Sequence, residues 1–165
     1  MELPKTLITE TTLTTTVSTI EITSGIDASY NAYEFLVMNG QTNGSNTNAS
    51  FYIGQSGTYS LRDNSISLYG GFTNWNTYYG PQITNSGGAH LLLRAVFSRP
   101  SGSSYLKTDF VHGNSNYYNF GGSPAASSIV LAQTTQSTAA VDRVKLTVNL
   151  ASWLAGTRYK LYGYE

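Results

Sequence analysis

The chain has 165 residues, no cysteine and a formal net charge of zero, and only 11% of its residues are charged. That length buries a core without cross-links and favours one domain, while the absence of cysteine excludes disulfides, thiolate zinc sites and cysteine nucleophiles. Balanced, singly scattered charges leave no phosphate-neutralising footprint, so neither nucleic acid nor an anionic membrane is an expected partner.

The N-terminus, Met1-Glu2-Leu3-Pro4-Lys5, has no charged segment followed by an apolar one, and no apolar run approaches the ~20 residues that span a bilayer. Residues 6–23 are rich in threonine, yet Leu7, Leu13, Val17, Ile20 and Ile22 give the stretch apolar teeth, and threonine favours strands. Residues 1–16 therefore read as a Thr-rich arm or edge strand, with a plain linker as the alternative. Leu7, Leu13 and Val17 are its candidate assembly contacts.

Residues 17–165 read as one domain. Strand-like segments follow at 17–23, 33–38, 50–53, 58–61, 65–69, 90–97, 105–111, 129–133, 141–150 and 157–164, separated by Gly, Asn, Asp and Pro turn residues. No window has helical periodicity, and the single helix candidate is the short turn 151–154. Many short strands with frequent turns predict an all-β fold, an antiparallel β-sandwich of jelly-roll type with two long aromatic-rich loops. Alternation turns Tyr33, Phe35, Val37, Leu91, Leu93, Ala95, Phe97, Val144, Leu146 and Val148 inward. It turns Glu34, Arg94, Arg143 and Lys145 outward.

The two stretches that fit no regular strand are 70–88, with Trp75, Tyr78 and Tyr79, and 113–128, with Tyr117, Tyr118 and Phe120. Structureless loops of about 15 residues are uncommon in compact domains unless they serve a purpose. Tyrosine and tryptophan combine a rigid apolar face with a polar tip, which suits stacking on a sugar ring and suits a subunit interface equally. The plainer alternative is that these six aromatics cap an open end of the sandwich.

Catalytic chemistry is thinly provided. His90 and His112 are the only histidines, and no cluster of carboxylates accompanies them at metal-ligand spacing. Asp109 and His112 sit three apart on a strand, hence on opposite faces. Ser104-Tyr105-Leu106-Lys107 matches a serine acyl-enzyme string but lies at a strand start, where no helix brings its ends together. No acidic pair stands out for glycoside hydrolysis, and no Gly doublet precedes a helix that would hold phosphate. The expectation is a protein that is not an enzyme and holds no metal or cofactor.

The last twenty-two residues alternate sharply. Val144, Leu146, Val148 and Leu150 interleave with Lys145, Thr147 and Asn149, a short Gly156-containing turn follows, and 157–164 sets Tyr159 and Leu161 opposite Arg158 and Lys160. The chain so read finishes inside a sheet.

Three segments carry a resemblance: Leu3-Pro4-Lys5-Thr6-Leu7-Ile8, Gly25-Ile26-Asp27-Ala28-Ser29-Tyr30 running on to Phe35, and Ala155-Gly156-Thr157 running on to Leu161-Tyr162-Gly163. They resemble small virion proteins of tailed bacteriophages, especially marine ones, in which a strand follows a Ser/Gly-Ile-Asp-x-x-Tyr turn and the chain closes on Gly-Thr-x-x-Leu/Met-Tyr-Gly. The match covers the two ends and leaves the middle without support. It implies a non-enzymatic jelly-roll subunit, assembled in the host cytoplasm and located in the virion, and it carries over no catalytic residue. A strand beginning so close to Met1 favours a capsid decoration or cement protein, a trimer bound to the major capsid protein or other virion proteins. A tail-associated module that binds a receptor or host glycan is the alternative.

Overall fold

The computed structural model describes residues 4–44, 47–55, 58–59, 65–67, 82–83, 91–98, 106–118, 124–136 and 140–165, with side chains described at 4–44, 51–54, 92–97 and 140–165. Every regular element among them is a strand. In chain order these are β1 (Lys5–Thr12), β2 (Thr19–Ile22), β3 (Ala32–Gly40), β4 (Thr47–Gln55), β5 (Thr58–Tyr59), β6 (Ser65–Ser67), β7 (Gln82–Ile83), β8 (Leu91–Ser98), β9 (Leu106–Tyr118), β10 (Pro124–Gln136), β11 (Val141–Val148) and β12 (Arg158–Tyr164).

All pairings are antiparallel and fall into two sheets. The first runs β1-β12-β3-β8-β9-β10, and the second runs β2-β11-β4, with β5, β6 and β7 each paired to β4. The chain changes sheet between β1 and β2, again into β3 and again into β4. It returns to the first sheet at β8, crosses to the second at β11 and ends in the first at β12.

Period-two alternation explains why the sheets close on each other. From the first sheet Tyr33, Phe35, Val37, Leu93, Ala95, Phe97 and Leu161 are buried, and from the second Ile20, Ile22, Phe51, Ile53, Val144, Leu146 and Val148. Phe51 joins the layers, stacked on Phe35 with ring centroids 5.6 Å apart and tilted against Phe97 at 6.5 Å. Burying each such side chain is worth roughly 1.5–3 kcal/mol, and one continuous cluster forms from both sheets. Every expected core residue whose side chain is described is inside; Leu91 lies outside the described side chains.

Several expectations need correction. The turn at 151–154 is no helix. It belongs to the crossing from β11 to β12, which lie in different sheets. Trp153 at its centre makes isolated bridges to Val17 and Thr42. Its amide donates to the Val17 carbonyl at 2.7 Å and its carbonyl accepts from the Val17 amide at 3.0 Å. Leu154 donates to Gln41 at 2.9 Å and Gly156 to Leu13 at 2.8 Å, so three connections are laced together over one end of the core. A side chain as large as Trp153, fully buried, holds the segment in an extended path where a helical turn would withdraw it.

Residues 113–128 are not an irregular loop either. Most of them form a regular hairpin, β9 against β10, with Tyr117 opposite Ala125 and Tyr118 opposite Pro124. The Asn- and Ser-rich composition hides a strand whose ladder comes from its partner and not from its own propensity. A short strand, β7, also occurs within 70–88, where none is expected.

The segments that carry the resemblance meet in space. β1 pairs with β12 along the sheet edge. Gly25, at φ +79°, leaves room that a Cβ would lose, since that atom would lie 2.6 Å from Ile8 Cγ2. The Tyr30 ring lies directly over Gly163, so a Cβ there would collide with the ring carbons. Tyr30 also meets Tyr33 edge-on at 5.9 Å. The Tyr33 hydroxyl donates to the Asp27 carbonyl at 2.5 Å and accepts from the Asp27 amide at 2.9 Å, which satisfies a buried phenol within the turn it stabilises.

Candidate functional site

Trp75, Tyr78, Tyr79 and Phe120 lie outside the described residues. Tyr117 and Tyr118 are placed at the end of β9, beside the turn into β10. Of the candidate arm contacts, Leu13 and Val17 pack partly buried against the core beside the Trp153 crossing, whereas Leu7 on β1 is 46% exposed. The three do not form one surface: two help close the sandwich end and one faces outward from the sheet edge.

What the sequence does not single out is the outer face of the first sheet. Alternation places Glu34 there, opposite Tyr162 on β12 and Val96 on β8. It was expected in solvent, yet it is only 2% exposed. Its carboxylate is covered by Tyr164, whose hydroxyl donates to Oε2, by Arg94, whose Nη2 donates at 3.1 Å, and by Lys5, whose Nζ lies 3.6 Å away. These partners come from β12, β8 and β1, so one carboxylate braces four strands of the sheet. Lys5 Nζ also sits 4.5 Å from the centre of the Tyr162 ring, a cation–π contact that pins the edge strand. A second group follows along the same face, where Glu10 pairs with Arg158 and, at 3.2 Å, with Lys160. The one signal in the sequence is the run Tyr33-Glu34-Phe35-Leu36-Val37-Met38, apolar on both faces around a lone carboxylate, the mark of a strand with neighbours on both sides.

Electrostatics follow the geometry. Burial pushes the Glu34 carboxyl up, but the Tyr164 and Arg94 hydrogen bonds and the Arg94 and Lys5 charges outweigh it, and the carboxyl titrates below its ordinary 4.5. Burial and then the bond to Glu34 raise the Tyr164 phenol, and Glu34 raises Arg94. A carboxyl with a lowered folded value stabilises the fold above its ordinary range, and that contribution is lost as pH falls from 4.5 through the lower folded value. Glu34→Gln is therefore expected to cost roughly 2 kcal/mol at neutral pH. Thermal melts of both proteins should converge in acid; a gap that stays constant with pH would show that the carboxylate charge is not what holds the strands.

An open groove of about 420 Å³ lies between the edge strands β1 and β2, lined by Ile8, Thr9, Thr11, Glu21, Thr23 and Tyr159 among others. Its walls offer hydroxyls and one carboxylate, which suit hydration. Next to it, β1 is blunted as an edge by Lys5 and by a bulge between Leu7 and Thr9. Among the described residues no three His, Asp or Glu side chains gather as metal ligands, and no helix is long and apolar enough to cross a membrane. The described surface includes a braced sheet face on which Leu36, Met38, Leu92 and Val96 lie alongside the Glu34 and Glu10 charge clusters. Comparison of the chain with protein-family models, with characterised proteins and with solved structures finds no match.

Proposed function

We propose that this protein is a non-enzymatic structural subunit of a phage particle, a decoration or cement protein that binds the surface of the assembled head. The observation that carries the reading is the joint formed by Ile8 on Gly25, Tyr30 over Gly163 and β1 against β12. The three segments that resemble virion proteins form one packed unit, which supports reading the resemblance as a shared way of closing a sheet. The strand order supports a jelly roll as the fold. With the β9–β10 hairpin taken as an insertion and β5 to β7 as one position, four strands β1-β12-β3-β8 face four at β2-β11-β4-β5, and every step along the chain except β4 to β5 passes from one sheet to the other, the strand order of a double Greek key. A jelly roll hosts many functions, and the virion reading therefore rests on the joint and the fold together.

Many identical copies on a lattice tolerate a modest affinity for each. The test is to locate the protein in images of the particle and to delete it. Copies spread regularly over the head, with host adsorption intact and with particles more easily broken by heat and osmotic shock, are the expected result. Copies confined to the tail, with adsorption lost, would replace this reading with a receptor- or glycan-binding one.

A further inference from the structure

The first sheet ends on a strand whose free side carries no device against further pairing. Edge strands are ordinarily kept short, bulged, charged or covered, because a row of unpaired backbone groups recruits other strands. Here β1 carries Lys5, Glu10 and a bulge between Leu7 and Thr9, while β2, β5, β6 and β7 are two to four residues long. Among the described residues β10 shows none of these devices. It runs for 13 residues, pairs with β9 residue for residue without a bulge, and stands last in the strand order, with β9 as its one neighbour among the described strands. No Asp, Glu, Lys or Arg occurs between Asp109 and Asp142, and the one proline of β10 is its first residue, where a strand tolerates it. Alternate residues of an antiparallel edge strand turn both backbone groups away from their single neighbour, so about six residues of β10 do so.

We infer that β10 is where two copies of the chain join, each adding its β10 antiparallel to the other's, so that the first sheet runs on across a two-fold axis. An axis through Val130, the middle residue of the strand, pairs all 13 positions. Val130 then stands opposite its own copy, Ile129 opposite Leu131, Ser127 opposite Gln133 and Ala126 opposite Thr134. The apolar centre Ile129-Val130-Leu131 thus meets itself, and no charge meets a like charge at any position. Length also selects the partner strand. Among the described strands with a free side, β1 is interrupted and charged and the others are short, so β10 is matched only by β10 of another copy. An uncharged edge, equally, holds nothing by which to choose a foreign charged segment. The contact is made along the edge, which leaves Lys5, Arg94, Arg158 and Lys160 on the outer face clear of the second copy. The joint uses up both β10 edges, so the pair closes on itself. Such a pair forms whether or not the protein decorates a phage head.

The chain has no cysteine, so a single introduced thiol can form a disulfide only between copies. Directly opposed residues of antiparallel strands lie ~4.5–5.5 Å apart at Cα, within disulfide reach. Val130→Cys in the full chain, mildly oxidised, is therefore expected to give a covalent dimer. Thr134→Cys is not, because an offset of eight residues at ~3.4 Å each holds its two copies ~27 Å apart. Mixing Ala126→Cys with Thr134→Cys should cross-link the two different chains. Sedimentation of the wild type over a wide concentration range should show the dimer without any cross-link. Val130→Lys, which sets two ammonium groups opposite each other, should weaken it at least tenfold, and Thr6→Lys on the already blunted β1 should not, with circular dichroism confirming the fold of each. A wild type that stays monomeric throughout, a Val130→Cys dimer no more abundant than that of Thr134→Cys, or an association undiminished in folded Val130→Lys would each overturn the proposal.

Discussion

Trp153→Ala is expected to remove about 4 kcal/mol of folding free energy, within the range for emptying a fully buried tryptophan site. Domains of this size are stable by only about 5–15 kcal/mol, so the variant should sit near the edge of folding. The site cannot collapse easily, because the backbone on either side is fixed by bonds to Leu13, Val17 and Gln41. The ring is fully buried, and its indole Nε1 has no hydrogen-bond partner. Trp153→Phe should therefore cost much less, roughly 1–2 kcal/mol, since it leaves a smaller cavity and breaks no polar bond. Denaturant titrations of both variants decide the matter. Equal losses would mean that the indole N–H, and not the ring volume, is what the site needs.

The second large effect concerns a glycine that bears no unusual backbone angle. Gly163→Ala should destabilise the fold by roughly 2–3 kcal/mol, the cost of forcing atoms into a packed interior. The added methyl would meet the Tyr30 ring close to its attachment to the chain, where the side chain has little freedom to swing away. Displacing that ring would also disturb its edge-on contact with Tyr33. Adding Tyr30→Ala to Gly163→Ala should then cost less than the sum of the separate losses, because the clash has been removed in advance. Strict additivity in such a double-mutant cycle would show that the ring and the glycine do not act on each other.

The parts of the fold legible in the sequence are those where one strand's own pattern decides its placement. In β3, β8, β11 and β12 the alternation of Tyr33, Phe35 and Val37, of Leu93, Ala95 and Phe97, of Val144, Leu146 and Val148, and of Tyr159 with Leu161 marks the inner face directly. Where placement depends on partners distant in the chain, the pattern fails. Tyr117 and Tyr118 sit in a segment of Asn, Ser and Gly that looks like loop, and it becomes strand through pairing with an equally weak segment after the turn. Glu34 has the outward parity expected of a carboxylate, but its burial is decided by Lys5, Arg94 and Tyr164, which arrive from three other strands. Trp153 suggests a turn, and only the neighbouring paths of 13–17 and 41–43 reveal that it is the point where those paths are tied together.

The pairing of β1 with β12 has a consequence for biogenesis. Their register joins Lys5 to Tyr164 and Thr12 to Arg158, so the first strand made must wait for the last before its edge can zip shut. At ~5–20 residues per second that wait is on the order of ten to thirty seconds. During it, β1 offers mainly threonine hydroxyls and two charges, a composition that resists clumping with sister chains on the same message. The sheet is thus completed only after β12 has cleared the ribosome, so its edge closes after synthesis of this stretch and not during it.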